Sequence, residues 1–600
     1  MRYRASRVLT GFLLMCVCAV AVSVRSLAQD LAGERRDYAA AVRAIDRGHW
    51  TEYERLRPRL DDYPLAVYLD YFQLTRQADQ VPPEQARGFL SRSADTPLPN
   101  RFLAVYLRSA GKAQRWQDFL DVMPSEPNSA DLKCYYFRAQ LARGNEDIAW
   151  DGARKLWQRG ESQPGECDPL FASWEAAGGL TDPIVWTRLL NAFEARQQSL
   201  LQFVAQKAGP GLRPWADRLL TVYHHPETLP TLALPADSPY AADIASYGLA
   251  YLAGYSPEQA LSSWTELQRH LRVTPEQAQR VEYAIARQSL LARTAAHVEW
   301  LNGALARLGD DQLVGIRLRW ALAEQDWDAV QRNLPLLSEA GRGETVWRYW
   351  AAIAQEQAGA TAAAKATLEQ LAGERDYYGF LAADRLGRSY AFNHQRLAMT
   401  DPSPVAGLPA VRRIEELDFQ QEDVLAHSEW FKLLQDTSDP AQQRDLAVLA
   451  SQKGWYRMAI DAATRAQAWD ALDQRFPTPY QDIFGRYARE RQVPSTELLA
   501  IARARVRFFP RAIAGRRARA DAGDAGHREV GGRVPAARPP PHRPVRDRPQ
   551  RAARQRLLPA VAGPLRRQSR VRPHRLQRRS QSRGPLAPQG GGGHSGGAVD

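Results

Sequence analysis

Cysteine is scarce in this chain, with four in 600 residues. Cys16 and Cys18 fall inside an apolar N-terminal run, so Cys134 and Cys167 are the pair left in the body. No His lies near either one, which argues against a Cys/His metal centre. Strand-like alternation of Val, Ile and Thr is also scarce, which argues against an all-β or α/β chain. A Ser/His/Asp set, a phosphate-binding glycine loop and a metal-ligand cluster are all missing, so no cofactor or metal is expected. The few His residues, such as His224 and His225, suit surface or core positions better than ligand roles.

The last part of the chain lacks more. Residues 504–600 contain no Lys, Trp or Tyr and only five acids, against 23 Arg. That segment carries +18 of a chain whose net charge is +13, so residues 1–503 stand at −5. The basic pI of 9.6 therefore belongs to the tail. Low hydrophobicity with high net charge does not offset chain entropy, so 504–600 is expected to be largely disordered as written. An Arg-rich tail that grips nucleic acid or another polyanion is the alternative. Its two aromatic residues, Phe508 and Phe509, adjoin each other at its start and are not interleaved with the Arg residues for base stacking, so no nucleic-acid partner is expected.

At the other end Arg2, Arg4 and Arg7 precede an apolar run from Val8 to Val24, and Ser26-Leu27-Ala28 offers small residues before Gln29. This is the pattern of a signal peptide over 1–28. An uncleaved anchor is the competing reading, because a spanning helix needs about 17 to 25 residues. Lipidation at Cys16 is disfavoured by the bulk of Met15. Cleavage gives an exported protein with no integral membrane span. In an oxidising compartment the lone pair Cys134 and Cys167 reads as a disulfide, with two buried thiols as the alternative.

Between residues 29 and 475 the periodicity is helical nearly throughout. Trp347, Trp350, Ala351 and Ala354 recur at i, i+3, i+4 and i+7, which puts them on one helix face. Trp50, Trp116, Trp327, Trp455 and Trp469 each follow a polar or glycine-containing turn and are expected to open a helix. Such anchors suit stacked helix hairpins, each burying its apolar face on the next. Their spacing is irregular, which points to a degenerate superhelix, with the Trp rings as core packing and not sugar platforms.

Several blocks resemble a known family. Glu161 to Phe171 with its Pro164-Gly165-Glu166-Cys167 turn, Tyr377-Tyr378-Gly379-Phe380 through Arg385, Ser428-Glu429-Trp430, Arg475-Phe476-Pro477-Thr478-Pro479-Tyr480-Gln481-Asp482, Pro494 and Leu499-Ala500-Ile501-Ala502-Arg503 look like segments of the large soluble lytic murein transglycosylases of the Gram-negative periplasm. The resemblance runs in order over about residues 1–503. It implies an all-α protein, with a ring-shaped α-superhelix over 29–400, a small helical linker domain over 401–475, and the start of a lysozyme-like catalytic domain over 476–503. It also implies a disulfide at the positions of Cys134 and Cys167. The expected activity is cleavage of the MurNAc-GlcNAc bond of peptidoglycan in cell-wall turnover. Glycan strands, and other cell-wall enzymes, are the implied partners.

That chemistry needs a glutamic acid directly after an Ile-Ala-Arg-Gln run. One buried Glu of raised pKa protonates the glycosidic oxygen, then acts as base on the muramic acid's own hydroxyl, closing an anhydro ring without a second carboxylate. Here Ile501-Ala502-Arg503 is followed by Ala504-Arg505-Val506, so Arg505 sits where the resemblance places the catalytic Glu. A guanidinium transfers no proton at physiological pH. The family's Gly-Leu-Met-Gln and Ala-Tyr-Asn-Ala-Gly groove motifs are absent as well.

Both motifs are recoverable in another frame. Ala514 through Arg528 can be encoded by a choice of codons that, read one base later, gives Pro-Ala-Gly-Ala-Arg-Gly-Leu-Met-Gln-Ala-Met-Pro-Ala-Thr-Ala. Codons can likewise be chosen for Arg575-Leu576-Gln577-Arg578-Arg579 that give Ala-Tyr-Asn-Ala-Gly under the same shift, and for Ala553 to Gln568 that give an amphipathic helix pattern between them. Ala504-Arg505-Val506 can also yield Gln-Glu-Ser by the same shift, yet Phe508-Phe509-Pro510 fits the family in the present frame, so the point where the shift begins is open. Two functions follow as expectations: a lytic transglycosylase by lineage whose translated chain is catalytically dead, or a non-catalytic periplasmic scaffold that binds glycan or protein.

Overall fold

A computed structural model describes residues 31–399 and 401–506 of the chain, with the side chains of 504–506 left out. The described residues lie in one compact unit, and no strand occurs among them. The signal-peptide pattern at 1–28 falls outside them, as do residues 507–600 of the Arg-rich tail.

The repeating unit is a helix hairpin with one kind of turn. A helix ends in a residue of left-handed conformation, and the next N–H reaches back to close a six-residue loop. His49 N–H bonds to Ala44 O at 2.8 Å after Gly48, and Asn145 N–H to Gln140 O at 3.0 Å after Gly144. This satisfies carbonyls that a helix end leaves open, and glycine adopts the conformation without a Cβ clash. Gln114 and Gln325 occupy the same position at positive φ, where Arg115 N–H and Asp326 N–H make the equivalent bonds. The residue that follows starts the second helix, which is why Trp50, Trp116 and Trp327 open Trp50–Leu56, Trp116–Val122 and Trp327–Asn333. Trp455 stands one residue ahead of Tyr456–Arg465.

Trp469 departs from this rule. It follows the left-handed Gln467 as the others follow theirs, yet the next helix, Leu472–Arg475, begins three residues later. The intervening Asp470 is claimed from outside the hairpin: Arg375 bonds its carboxylate at 2.6 Å and Gln395 N–H its carbonyl at 2.8 Å. Those bonds pull the chain out of helical conformation, and the Trp469 ring is left largely exposed beside Arg475.

The helix Thr345–Gln357 shows why the apolar periodicity is broad. Trp347 and Ala354 pack into one cluster with Leu313, Leu318 and Trp320, while Tyr349, Ala352 and Ile353 pack into the next with Leu368 and Leu371. A helix between two layers buries two faces, so its pattern approaches apolar all round. Seven Trp residues, at 157, 174, 186, 264, 320, 347 and 430, are buried.

The chain also joins its beginning to its residues 404–434. The carboxylate of Glu416, on Pro409–Phe419, accepts Arg35 Nε and Nη2 at 2.8 Å each and Tyr63 Oη at 2.7 Å. Glu429, on Asp423–Asp436, accepts Tyr68 Oη at 2.8 Å and lies 3.1 Å from Arg413 Nε. Arg413 in turn pairs with Asp95 at 2.9 Å, and Arg101 donates to Ser428 Oγ at 2.7 Å. The Trp430 ring, next in sequence to Glu429, is fully buried and donates to Met458 O at 3.0 Å.

Cys134 and Cys167 are bonded, with Cα atoms 4.8 Å apart, and tie Ala130–Ala142 to the turn Gly165–Cys167. They lie 33 residues apart in sequence, so closing this loop is worth about 3 to 4 kcal/mol in the chain-entropy account. Replacing both by Ser is expected to lower the unfolding free energy by that amount in urea titrations. Unchanged stability, or two free thiols by mass spectrometry in protein exported to an oxidising compartment, is the contrary result.

Candidate functional site

The position singled out in the sequence, Arg505, lies on the last described helix, Ser495–Val506. That helix follows Gln481–Arg491 across a turn in which Gln492 takes a left-handed conformation and Val493 N–H bonds Ala488 O at 3.1 Å. The way into the hairpin is set by Pro477 and Pro479, both buried, and by Tyr480 at φ 58°. Arg503 fixes the far end: its Nε donates to Arg475 O at 3.2 Å, and its guanidinium lies 4.2 Å over the Phe476 ring. The backbone around residue 505 is therefore held helical at the foot of the hairpin. The segments that regain the groove motifs in the shifted frame, 514–528 and 575–579, lie outside the described residues.

This hairpin has almost no core of its own. Among residues 476–503 only Pro477, Pro479 and Ala488 are buried, while Ile483 is 49% and Ile501 59% exposed. Phe476, Tyr480 and Tyr487 are also largely exposed. Two helices of about this length are marginal in water without tertiary packing of their apolar faces. Its apolar side chains lack a covering surface among the described residues.

Elsewhere the described carboxylates offer one group with the electrostatics of a general acid. Burial pushes the Glu429 carboxyl above the ordinary range, while Arg413 and the Tyr68 hydroxyl pull the other way. Its side chain is wholly enclosed, however, and its partners are structural. Arg413 Nε and Glu429 Oε2 meet as a charge contact without an aligned hydrogen bond. No substrate reaches such a group, so it serves the closure between the N-terminal helices and residues 404–434. Sequence reasoning found Ser428-Glu429-Trp430 only as a resemblance, and it missed Arg35, Tyr63 and Glu416 altogether.

The other quoted blocks have structural roles too. Asp376 caps Tyr377–Leu386 by accepting from Gly379 N–H at 2.7 Å. A Cβ at Gly379 would sit 2.1 Å from Glu374 O, so only glycine fits. The block around Pro164 makes the turn that carries Cys167. Among the described residues no helix is long and apolar enough to cross a membrane.

Comparison with known proteins gives consistent findings. Residues 404–472 match the family described as the soluble lytic murein transglycosylase L domain. The soluble lytic murein transglycosylase of Escherichia coli K12 is 28% identical over 512 residues, which cover 85% of this chain and 79% of that protein. The fold is similar to that of a 70-kDa soluble lytic transglycosylase solved in complex with bulgecin A, at a TM-score of 0.72 and 26% identity, covering 80% of this chain and 78% of the other. It is also similar to an inactive Glu-to-Gln mutant of the lytic transglycosylase Slt from Pseudomonas aeruginosa, at a TM-score of 0.69 and 30% identity, covering 79% and 78%.

Proposed function

The chain belongs to the soluble lytic murein transglycosylase family, and from that premise we propose that it descends from a periplasmic enzyme that cleaves the MurNAc-GlcNAc bond of peptidoglycan with formation of anhydro-MurNAc. We further propose that the chain as translated does not cleave. The observation that carries this is the residue after Ile501-Ala502-Arg503-Ala504, an Arg where the reaction needs a Glu. The relative solved as an inactive Glu-to-Gln mutant supports the need for that carboxyl. The exposed apolar residues at 476–501 support the reading that a catalytic domain begins here and loses its frame soon after.

The domain organisation in this reading is a signal peptide over 1–28, a superhelical domain over 29–400, a linker domain over 401–475, and the stub of the catalytic domain over 476–503. The intact closure at Glu416 and Glu429 favours a second role for the translated chain, as a periplasmic scaffold that binds glycan or protein without cutting. Incubation with purified peptidoglycan distinguishes the two. The chain is expected to release no anhydro-muropeptides by mass spectrometry while still sedimenting with sacculi. Robust release would place the active site on a carboxylate outside the 476–503 stub.

A further inference from the structure

Helices Asp182–Glu194, Pro239–Leu252 and Pro275–Ala292 stack side by side and leave a cleft of about 440 Å³. Its wall is aromatic, with Phe193, Tyr247, Tyr251 and Tyr283. Two arginines stand on that wall. The Arg280 guanidinium lies 4.1 Å over the Tyr247 ring, and that of Arg196 4.7 Å over the Tyr251 ring. The platforms are themselves fixed: Tyr251 stacks on Tyr223 at 5.4 Å and 8°, and Phe193 sets against Tyr223, Tyr247 and Tyr251.

Cation–π contact holds a guanidinium by its face and leaves its in-plane N–H donors unspent. Neither Arg196 nor Arg280 has a carboxylate within ion-pair distance among the described residues. A second cavity of about 650 Å³, beside the closure, differs in this respect: there Arg101 bonds Ser428, Lys432 pairs with Asp436 and His427 with Asp461. In the first cleft, Glu194 and Glu276 share the lining with the two free cations. Two open guanidiniums suit carboxylates, and two rim carboxylates suit an ammonium group. An uncharged saccharide can hydrogen-bond to both pairs but leaves their charges uncompensated.

We infer that this cleft binds a zwitterionic peptide carrying clustered carboxylates and an amine, the chemistry of the peptidoglycan stem peptide, with Arg196 and Arg280 on the carboxylates and Glu194 with Glu276 on the amine. The inference rests on the peptidoglycan reading above and deepens it: the superhelix grips the peptide of a strand, independently of any catalytic domain. Arg196 also supplies a clean probe. It occupies the left-handed turn position at φ 57° that Gly48, Gly144 and Gly454 fill in equivalent hairpins, so Arg196→Gly removes the guanidinium and relaxes the backbone at once.

The test is calorimetric titration of the full exported chain with the tripeptide L-Ala-γ-D-Glu-meso-diaminopimelate, with the same peptide amidated at every carboxylate, and with an N-acetylglucosamine tetramer. Sedimentation with intact sacculi is scored separately. The tripeptide is expected to bind and the other two are not. Arg196→Gly and Arg280→Gln are each expected to weaken binding by about tenfold or more, the size of one lost charge-assisted hydrogen bond. The Arg196→Gly protein is expected to unfold at no lower temperature than the parent. Unchanged affinity in both variants, or equal binding of the amidated peptide, overturns the inference. Sedimentation with sacculi but no tripeptide binding overturns it and leaves the peptidoglycan reading standing. Tripeptide binding without sedimentation supports the cleft and overturns that reading.

Discussion

A protein made from the same gene with the frame corrected near codon 503 is expected to release anhydro-muropeptides from purified peptidoglycan, where the chain as translated releases none. The gain has two sources. The corrected frame is expected to replace Arg505 or a close neighbour with a carboxyl that protonates the leaving oxygen and then deprotonates the muramic hydroxyl, work that general acid-base groups typically perform for about 10² to 10⁴ in rate. It is also expected to restore the groove motifs and the helix between them, and with them the binding and orientation of the strand. Changing the restored Glu to Gln is therefore expected to remove activity by at least about 10² while leaving strand binding intact. The corrected protein is also expected to bind less of a hydrophobic dye, because Ile483, Tyr487 and Ile501, exposed in the present chain, gain a partner surface. A corrected protein that folds but does not cleave would contradict the assignment of the site.

Much of the fold was legible in the sequence because its determinants are local. Helix periodicity, the left-handed turn and the following Trp lie within a few residues of each other, which is why Trp50, Trp116 and Trp327 were read correctly. Trp469 was misread because Arg375, 95 residues away from Asp470, decides the backbone there. The closure was invisible for the same reason at greater range. Arg35 and Glu416 are 381 residues apart, and neither residue type nor spacing announces their bond. The candidate site at Arg505 is legible only as a departure from a resemblance, since a missing Glu leaves no mark in composition or periodicity. The cleft at Arg196 and Arg280 combines residues from three helices and the turn at Arg196, and each of those Tyr and Arg residues alone reads as ordinary surface.

Breaking the closure is expected to carry the largest stability cost of any single substitution in the described residues. Trp430→Ala empties the space of the largest fully buried side chain and strands the contact to Met458, for about 3 to 5 kcal/mol. Glu429→Ala leaves the Tyr68 hydroxyl enclosed without its acceptor and takes away one of the two carboxylates that face Arg413, a loss of about 3 to 5 kcal/mol by the cost of a broken buried pair. The two residues adjoin, so the double variant is expected to lose less than the two costs together. Urea unfolding measures both, and a cost below about 1 kcal/mol in either would mean that the N-terminal helices do not depend on residues 404–434 as described.

The most direct measurement is the DNA sequence around codon 503, read from the genome of origin on both strands. A single-base insertion or deletion between codons 503 and 514 is expected, with the corrected frame running past residue 600 through Gly-Leu-Met-Gln and Ala-Tyr-Asn-Ala-Gly. An intact frame whose shifted reading contains neither motif would contradict the central claim.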